Sequence, residues 1–180
     1  GPYAGLLYND RDLTDAQLNK YFVDNSFGVP AGEVARTERP DPGVDVVIYR
    51  GPHDIPHIYG GSLSAMAYGA GYAAAEDRLF FMDVLRHYGE GDLASFVGPS
   101  CSIEDMDHDQ LLAAGYSHAQ LAAQLAALPK EYGTSGRQVV EMIDAYVEGI
   151  NRYIAASRTN PSLLPVDYAA VDGVPQDWTP

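Results

Sequence analysis

The chain has 180 residues, of which 46% are hydrophobic and 11% aromatic, and its formal net charge is −14. This composition is that of an ordinary globular domain and excludes a disordered chain. The acidity argues against partners such as nucleic acid or an anionic membrane surface, because phosphate recognition needs clustered Lys and Arg. No run approaches the roughly 20 apolar residues that span a bilayer, so no transmembrane segment is predicted.

The chain contains one cysteine, Cys101, which excludes an internal disulfide framework and a zinc site built from cysteines. We expect this thiol to be buried or inert, because no recognisable motif surrounds it. The N-terminal segment has no basic stretch followed by an apolar one, so a signal peptide is expected to be absent or already removed. Gly1-Pro2 is either a cleavage scar or a native mature terminus, and the sequence leaves both open.

The first part of the chain, residues 1–43, is mixed in character, and its later prolines and glycines break regular structure. Residues 13–22 predict a short helix with Thr14 as its N-cap. We interpret residues 1–43 as an extension that wraps a larger body, which is formed by residues 44–180.

The body begins with a predicted hairpin over residues 44–60, because a run of β-branched residues is followed by a Gly-Pro turn and a second short strand. A long helix is predicted over residues 62–88, with Ser62 as its cap. We expect one stripe of this helix to face the core. The stripe consists of Leu63, Met66, Ala70, Ala74, Phe81 and Leu85.

The second half of the body is predicted to be helical. Residues 100–115 are acidic and show no clear pattern, but helices are predicted over residues 117–128, ended by Pro129, and over residues 134–156. The last helix has an amphipathic stripe that recurs at three- and four-residue steps: Val139, Ile143, Tyr146, Val147, Ile150, Tyr153 and Ile154. The sequence therefore predicts a mostly helical chain with at least one hairpin.

Two spacings are similar to metal-binding motifs, but in both cases we expect residues that bind no metal. His53 and His57 have H-x-x-x-H spacing, which places two imidazoles on one face only in a helix, whereas the surrounding pattern predicts a turn and a strand. Asp105, Asp107 and Asp109 are spaced like the start of a calcium loop, but the glycine and glutamate that such a loop requires are missing. We expect a solvated acidic loop there.

The predicted helix over residues 62–88 contains two further patterns. Gly69, Gly71 and Ala74 match the dinucleotide-binding fingerprint, but that motif must open a helix, so close packing is expected instead. The second is a charged cluster, Glu76-Asp77-Arg78, which predicts a structural clamp on the arginine or, alternatively, a role in orienting a neighbouring site. The residues alone show no complete catalytic set.

Five segments occur in order over more than half of the chain and carry a family pattern. They are residues 46–60 (VVIYRGPHDIPHIYG), 68–83 (YGAGYAAAEDRLFFMD), 86–98, 143–151 (IDAYVEGIN) and 178–180 (WTP). The first resembles an R-D-x-x-G-v-P-H-I opening, the second a G-x-G-y-x-x-A-x-D-R-L helix, and the last a W-x-P segment. In combination they resemble the penicillin acylase family.

The resemblance implies that this chain is the α subunit of an N-terminal nucleophile hydrolase. In such enzymes a precursor cuts itself and exposes a serine as the first residue of a larger β chain. The implied fold is α+β, a four-layer αββα sandwich that the mostly helical α chain forms with the β chain. No catalytic residue is expected in this chain, because the nucleophile, its α-amino base and the oxyanion hole belong to the β chain. Asp77 and Arg78 are expected to be scaffold residues near the site.

The resemblance also implies a substrate class, the amide bond of an N-acylated small molecule such as a β-lactam, a homoserine lactone or a lipopeptide. No cofactor is implied for the chemistry; a structural calcium ion is implied, with ligands outside this chain. The implied location is secreted, periplasmic or in the cell envelope. The alternative hypothesis is a non-catalytic, acidic, secreted helical module whose apolar stripes pack on a partner.

Overall fold

The computed structural model describes residues 28–171 and 173–180, together with Thr14 and Ala16. The helix expected at residues 13–22, and most of the expected extension, therefore lie outside the described residues. In chain order the strands and helices are β1 Arg36–Glu38, β2 Val46–Arg50, β3 Pro56–Gly60, α1 Leu63–Glu90, α2 Leu93–Val97, α3 Cys101–Ala114 and α4 His118–Thr159. Two 3-10 turns follow α4, at Pro161–Leu163 and Val166–Ala170.

The three strands form one antiparallel sheet in the order β1-β2-β3. In the central strand β2, Ile48 pairs with Glu38 of β1 and with Ile58 of β3. Every second side chain of β2 is buried, so Val46, Ile48 and Arg50 share the inner face of the sheet. The strand β1 belongs to this sheet although it precedes the predicted hairpin.

The buried face of α1 is not the stripe that the sequence predicted. Three members of that stripe are exposed, namely Leu63, Phe81 and Leu85. The other three, Met66, Ala70 and Ala74, are half-buried. The uncharged residues that α1 buries are mostly small: Ala65, Tyr68, Gly69, Gly71, Ala73, Ala75 and Leu79. Small side chains are buried because α4 and the sheet both approach the backbone of α1 closely.

Glycines allow α1 and α4 to touch backbone to backbone. A Cβ atom on Gly71 would collide with the carbonyl oxygen of Tyr146, and one on Gly149 would collide with the carbonyl oxygen of Tyr68. Gly69 lies against the sheet, where a Cβ atom would come within 2.6 Å of a valine methyl group of β2. The close-packing interpretation of the Gly-x-Gly pattern is therefore confirmed.

The helix α4 consists of two segments that meet at Gly133, whose φ of 58° lies in the region that favours glycine. Pro129 lies inside the first segment and does not end the helix as predicted. Proline removes one backbone donor and crowds the carbonyl four residues earlier, and the helix bends one turn later, at Gly133. A Cβ atom on Gly136 would collide with the carbonyl of Leu128, so the second segment starts tightly against the first.

Two apolar clusters hold these elements together. The larger lies between α1, α4 and the second 3-10 turn, and its buried members are Ala75, Leu79, Ile150, Tyr153, Ile154 and Tyr168. The smaller lies under the sheet and contains Val46, Ala65 and Tyr68. The described part of the chain is thus mostly helical with a small sheet, as the α+β class requires. None of the described helices has the length and hydropathy of a membrane span.

The acidic stretch at residues 100–115 is helix α3, and the expectation of a solvated loop is wrong. The Asp107 side chain is buried, and its carboxylate accepts hydrogen bonds from the amides of Leu93 at 2.7 Å and Ala94 at 2.9 Å. Asp92, at the N-cap of α2, makes no such bond itself. The carboxylate of Asp107 therefore caps α2 from the following helix.

Candidate functional site

The inner face of β2 ends in a charged residue, Arg50, whose side chain is 0% exposed. Its Nη2 donates to Glu76 Oε2 at 2.7 Å, its Nη1 lies 2.9 Å from Asp77 Oδ1, and its Nε lies 3.2 Å from Glu38 Oε1. Nη1 also donates to the backbone carbonyl of Asp54 at 2.7 Å. Acceptors surround the guanidinium, as the burial of a charge requires.

A second guanidinium, from Arg36 on β1, lies on the outer side of this group. Its Nη1 donates to Glu76 Oε1 at 2.6 Å, and its Nε lies 3.3 Å from Glu38 Oε1. Four carboxylates thus face two guanidiniums, and the group keeps an excess of negative charge. We call these six residues the β2 charge cluster: Arg36, Glu38, Arg50, Asp54, Glu76 and Asp77.

Mutual interactions shift the titration of this cluster. Burial alone would lower the pKa of Arg50, but Asp77 and Glu76 outweigh it, so the pKa of Arg50 lies above its usual value. Burial raises the pKa of the Glu38 carboxyl group, and the charge of Glu76 raises it further although Arg36 opposes the change. The cluster ties the sheet to α1 through the buried charge of Arg50 and the half-buried carboxylates of Glu38 and Glu76, while Arg36, Asp54 and Asp77 are exposed.

Asp77 and Arg78, the scaffold residues expected near a site, have different surroundings. Asp77 binds Arg50, whereas Arg78 is exposed and lies at a bend in α1, where its φ of −145° and ψ of 20° are not helical. Within residues 28–171 and 173–180, Arg78 forms no ion pair. The clamp that the sequence assigned to Arg78 is made by Arg50.

Arg50 had a signal in the sequence that was missed. It stands in phase with Val46 and Ile48 on the two-residue period of a strand, so its side chain must point to the same buried face. A buried arginine needs carboxylate partners, and the Glu-Asp pair in the next helix supplies them.

A second buried carboxylate, Asp83, lies further along α1 and is 1% exposed. It accepts a hydrogen bond from the hydroxyl of Tyr168 and, at 3.0 Å, one from the indole Nε1 of Trp178. The Nε of Arg86 lies 3.3 Å from the same carboxylate, and its guanidinium lies 5.6 Å from the centroid of the Trp178 ring. Burial, followed by the bond to Asp83, raises the pKa of Tyr168.

The backbone of Trp178 is held as firmly as its ring. The Asn151 side chain donates to the carbonyl oxygen of Trp178 at 2.9 Å and accepts from its amide at 2.8 Å. Nearby, Arg158 binds the carbonyl oxygen of Pro175 at 3.2 Å and the carboxylate of Asp177 at 2.9 Å. We call the five residues around the ring and its backbone the Trp178 anchor: Asp83, Arg86, Asn151, Tyr168 and Trp178.

An open groove of about 1170 Å³ lies beside the Trp178 anchor. Its walls are the C-terminal end of α1, the two segments of α4, and residues 177–180. Its lining is mainly apolar, and it also contains three carboxylates, from Glu90, Asp144 and Asp177. We call this depression the α4 groove.

The other residues with suggestive spacing have structural positions. His57 lies in β3 and His53 in the turn before it, so the two imidazoles do not share a helical face. Both carboxylate oxygens of Asp107 accept from backbone amides, whereas Asp105 is exposed on the same helix. Cys101 is the exposed first residue of α3, so the thiol is not buried.

One group in the described residues brings metal-binding side chains together, with ligand atoms of His87, Glu90 and Asp92 within 4.8 Å of one another. It does not fit calcium, which takes six to eight oxygen ligands. His87 offers a nitrogen, its Nδ1 lies 2.8 Å from Asp92 Oδ1, and its ring stacks on Phe96 at 4.5 Å. Among residues 28–171 and 173–180, no serine, threonine or cysteine side chain is hydrogen-bonded to a histidine.

The sequence is similar to known acylases. A family profile described as penicillin amidase matches residues 45–180. The chain is 31% identical over 137 residues to penicillin G acylase from Escherichia coli, covering 76% of this chain and 15% of that protein. It is 28% identical over 136 residues to penicillin acylase 2 proenzyme from Pseudomonas sp. (strain SE83), covering 75% of this chain and 16% of that protein. The chain therefore spans a small part of the length of these relatives.

The structure shows the same relationship. It superposes on the tetragonal form of the thermostable penicillin G acylase from Alcaligenes faecalis with a TM-score of 0.64 and 30% sequence identity, over 76% of this chain and 66% of that one. Within residues 28–171 and 173–180, the family profile covers β2, β3, the helices α1 to α4 and the Trp178 anchor, and β1 lies before it. The chain belongs to the penicillin amidase family.

Proposed function

We propose that this chain is the α-subunit part of a self-processed, two-chain amidohydrolase, an acylase that cleaves the amide bond of an N-acylated small molecule or lipopeptide. The observation that carries this proposal is the family match over residues 45–180, together with relatives whose names are those of acylases. The four-layer αββα sandwich is part of the proposal, with this chain supplying helices and a small sheet to it.

The proposal places catalysis on a larger β chain whose first residue is a serine. Its hydroxyl attacks the amide carbonyl, its own α-amino group accepts the proton, and backbone donors stabilise the oxyanion. The amine then leaves with a proton, and water hydrolyses the acyl-enzyme. Support comes from the word proenzyme in the name of the Pseudomonas relative and from the small share of each relative that this chain spans.

In this arrangement the chain acts as scaffold. The β2 charge cluster holds the sheet against α1, and Asp77, together with Glu76, orients Arg50 from the helix. Arg78 projects from the bend in α1 and is exposed, so we assign it to the boundary with the β chain, near the site. The structural calcium ion that the family resemblance implies has its ligands outside this chain, and the group of His87, Glu90 and Asp92 is not assigned to it.

The location that we propose for the assembled enzyme is outside the cytoplasm, secreted, periplasmic or in the cell envelope. It rests on the family relationship alone. Recovery of the activity from culture supernatant or a periplasmic extract tests it, and recovery only from the cytoplasmic fraction contradicts it.

The second candidate function is a non-catalytic helical binding module. It is favoured by exposed apolar side chains on α3 and at the start of α4, such as Leu112, which is 74% exposed. A binding module needs no accompanying catalytic chain, and this difference separates the two functions in one experiment.

The decisive experiment is a denaturing gel of the natural protein, followed by N-terminal sequencing and an acyl-length panel of amide substrates. The acylase proposal expects a larger co-purifying polypeptide that begins with serine, and release of amine from at least one N-acyl substrate. A single 19.4 kDa species without amidase activity contradicts the acylase and supports the binding module.

A further inference from the structure

We propose that the α4 groove is the docking surface for an apolar helix with basic flanks that belongs to the accompanying larger chain. This inference rests on the two-chain function proposed above and deepens it, because it names the surface on this chain and the chemistry of the segment that covers it.

The first argument is the exposure of apolar side chains at the groove. Leu121 is 45% exposed, while Leu125 and Ile143 on the two segments of α4 are half-buried in the groove lining. Every residue in the range 111–124 is exposed, so no described element covers the end of α3 or the start of α4. Burial of this lining by a partner would gain the hydrophobic free energy that the chain alone forgoes.

The size of the groove argues for a polypeptide occupant. Its volume of about 1170 Å³ exceeds the range of about 300–1,000 Å³ that is usual for small-molecule sites, and it is open along one side. Grooves between helices that present apolar residues at helical spacing are a recurrent site for an amphipathic helix. The small share of each curated relative that this chain spans leaves ample polypeptide to supply one.

Charge selects among polypeptides. Glu90, Asp144 and Asp177 line the groove beside one arginine, Arg86, so the lining keeps an excess of negative charge. Arg86 pairs with Asp83 and Glu90, and Asp177 pairs with Arg158, which leaves Asp144 as the lining carboxylate without an ion pair within residues 28–171 and 173–180. A second copy of this chain would bring a further net charge of −14 to the same surface. Like charges across an interface are unfavourable, so Lys or Arg at the ends of the docked helix fits the groove and self-association does not.

The Trp178 anchor makes this surface rigid before docking. Residues 177–180 form one wall, and the indole and backbone of Trp178 are hydrogen-bonded to Asp83 and Asn151. A wall that is held in place loses little conformational freedom when a partner binds, which favours affinity.

The test is photo-crosslinking in the natural protein with its accompanying polypeptide. Leu121→p-benzoylphenylalanine is expected to crosslink to a peptide of the larger chain that has apolar residues at three- and four-residue steps and a flanking Lys or Arg. The matched control is Val166→p-benzoylphenylalanine, at a side chain that is 86% exposed and outside the groove, and it is expected to give no such adduct.

A second measurement uses Leu121→Glu, at a position where the isolated fold tolerates charge. We expect the recovery of the larger chain to fall roughly tenfold or more, because docking would bury an unpaired carboxylate. The control Val166→Glu is expected to leave recovery unchanged.

Four outcomes overturn the docking inference: a crosslink within this chain, a crosslink between two copies, a small-molecule adduct, or unchanged recovery of the larger chain in Leu121→Glu. If a larger chain is present and cleaves amides but does not crosslink from position 121, the docking inference fails and the proposed function stands. If no larger chain accompanies the protein, both fail.

Discussion

Arg50 is buried among three carboxylates and a carbonyl oxygen. Without the guanidinium, these acceptors would lose a donor that water cannot readily replace. Replacement of Arg50 by methionine keeps much of the side-chain length but leaves carboxylates facing one another in a shielded place. We expect Arg50→Met to lower the free energy of unfolding by about 3–5 kcal/mol. Urea denaturation of the assembled protein, followed by circular dichroism, measures the loss.

The matched control is Arg36→Met. Arg36 binds two of the same carboxylates, but its side chain is 43% exposed, so its loss is expected to cost about 1 kcal/mol or less. Equal losses in the free energy of unfolding for the two variants would mean that the burial of Arg50 does not increase the contribution of its ion pairs to stability.

Glu38 gives a dependence of stability on pH. Its pKa in the folded protein is raised, chiefly by burial and by Glu76, so the folded state prefers the protonated carboxyl group. The stability from this preference is complete below the unfolded pKa of about 4.3 and is lost as the pH rises through the folded pKa. We therefore expect Glu38→Gln to be at least as stable as the parent at pH 7, with the advantage gone at pH 4.

Thermal unfolding at a series of pH values checks this expectation for Glu38. A variant that is less stable than the parent at pH 7, but equal to it at pH 4, would show that the carboxylate form is the one that the fold prefers.

Asp77 is expected to matter for maturation, in line with its proposed scaffold role. Asp77→Ala removes the helix-side partner of Arg50 Nη1. We expect less conversion of precursor and less recovery of the larger chain, by severalfold, on a denaturing gel. The control Asp54→Ala removes an exposed carboxylate but keeps the backbone carbonyl that Arg50 binds, so it is expected to mature normally. Normal maturation and turnover of Asp77→Ala would rule out the scaffold role.

At the scale of helices, α1 and α4 can touch because glycines at their contact carry a hydrogen atom in place of a side chain. Gly71→Ala would place a methyl group against the carbonyl of Tyr146, so we expect a loss of about 1–3 kcal/mol in the free energy of unfolding. Gly89 lies in the same helix with open space around it, and there alanine is expected to stabilise by about 0.5–1 kcal/mol. Urea denaturation of both variants measures the two changes in the free energy of unfolding. Changes of the same sign would contradict the close-packing account.

The helices α4 and α1 show how far a stripe of apolar residues in the sequence predicts the buried face of a helix. The stripe on the second segment of α4 was right in its C-terminal part, where Val147, Ile150, Tyr153 and Ile154 are all buried. Its earlier members, Val139, Ile143 and Tyr146, are exposed or half-buried. The stripe on α1 was wrong, because apolar spacing does not reveal which face meets another backbone. Gly69 and Gly71 carried that information, since they mark a face with no room for larger side chains.

Helix α3 shows the opposite case, in which the decisive partner is distant in the sequence. Its acidic composition suggested a loop, whereas Asp107 is buried because it caps a different helix. Local pattern cannot supply such a contact. The alternation in β2 did contain the information that Arg50 is buried, and only its partners required the three-dimensional structure.

At the scale of the whole molecule, the Trp178 anchor joins the C-terminal residues to α1 and α4. Asp83→Leu would leave the hydroxyl of Tyr168, the indole of Trp178 and the charge of Arg86 without their shared acceptor. We expect a loss of about 3–5 kcal/mol and faster amide hydrogen exchange in residues 173–180.

The control for the anchor is Asp177→Asn, which weakens an ion pair with Arg158 whose carboxylate is 62% exposed. It is expected to change stability by less than about 1 kcal/mol. Unchanged hydrogen exchange in Asp83→Leu would mean that Asn151 alone holds the segment.

The family and its broad class were predictable from the sequence because five segments matched in order. The α4 groove was not, because it is built from four parts of the chain that are brought together by the bend at Gly133 and by the Trp178 anchor.

The cap that Asp107 provides for α2 has a consequence for the order of events during synthesis. A helix of five residues has little stability alone, and the acceptor for its first amides lies 14 residues further along the chain. Residues 93–97 must therefore wait in an unordered form until the ribosome has released Asp107, and the two helices then form together as one cooperative unit.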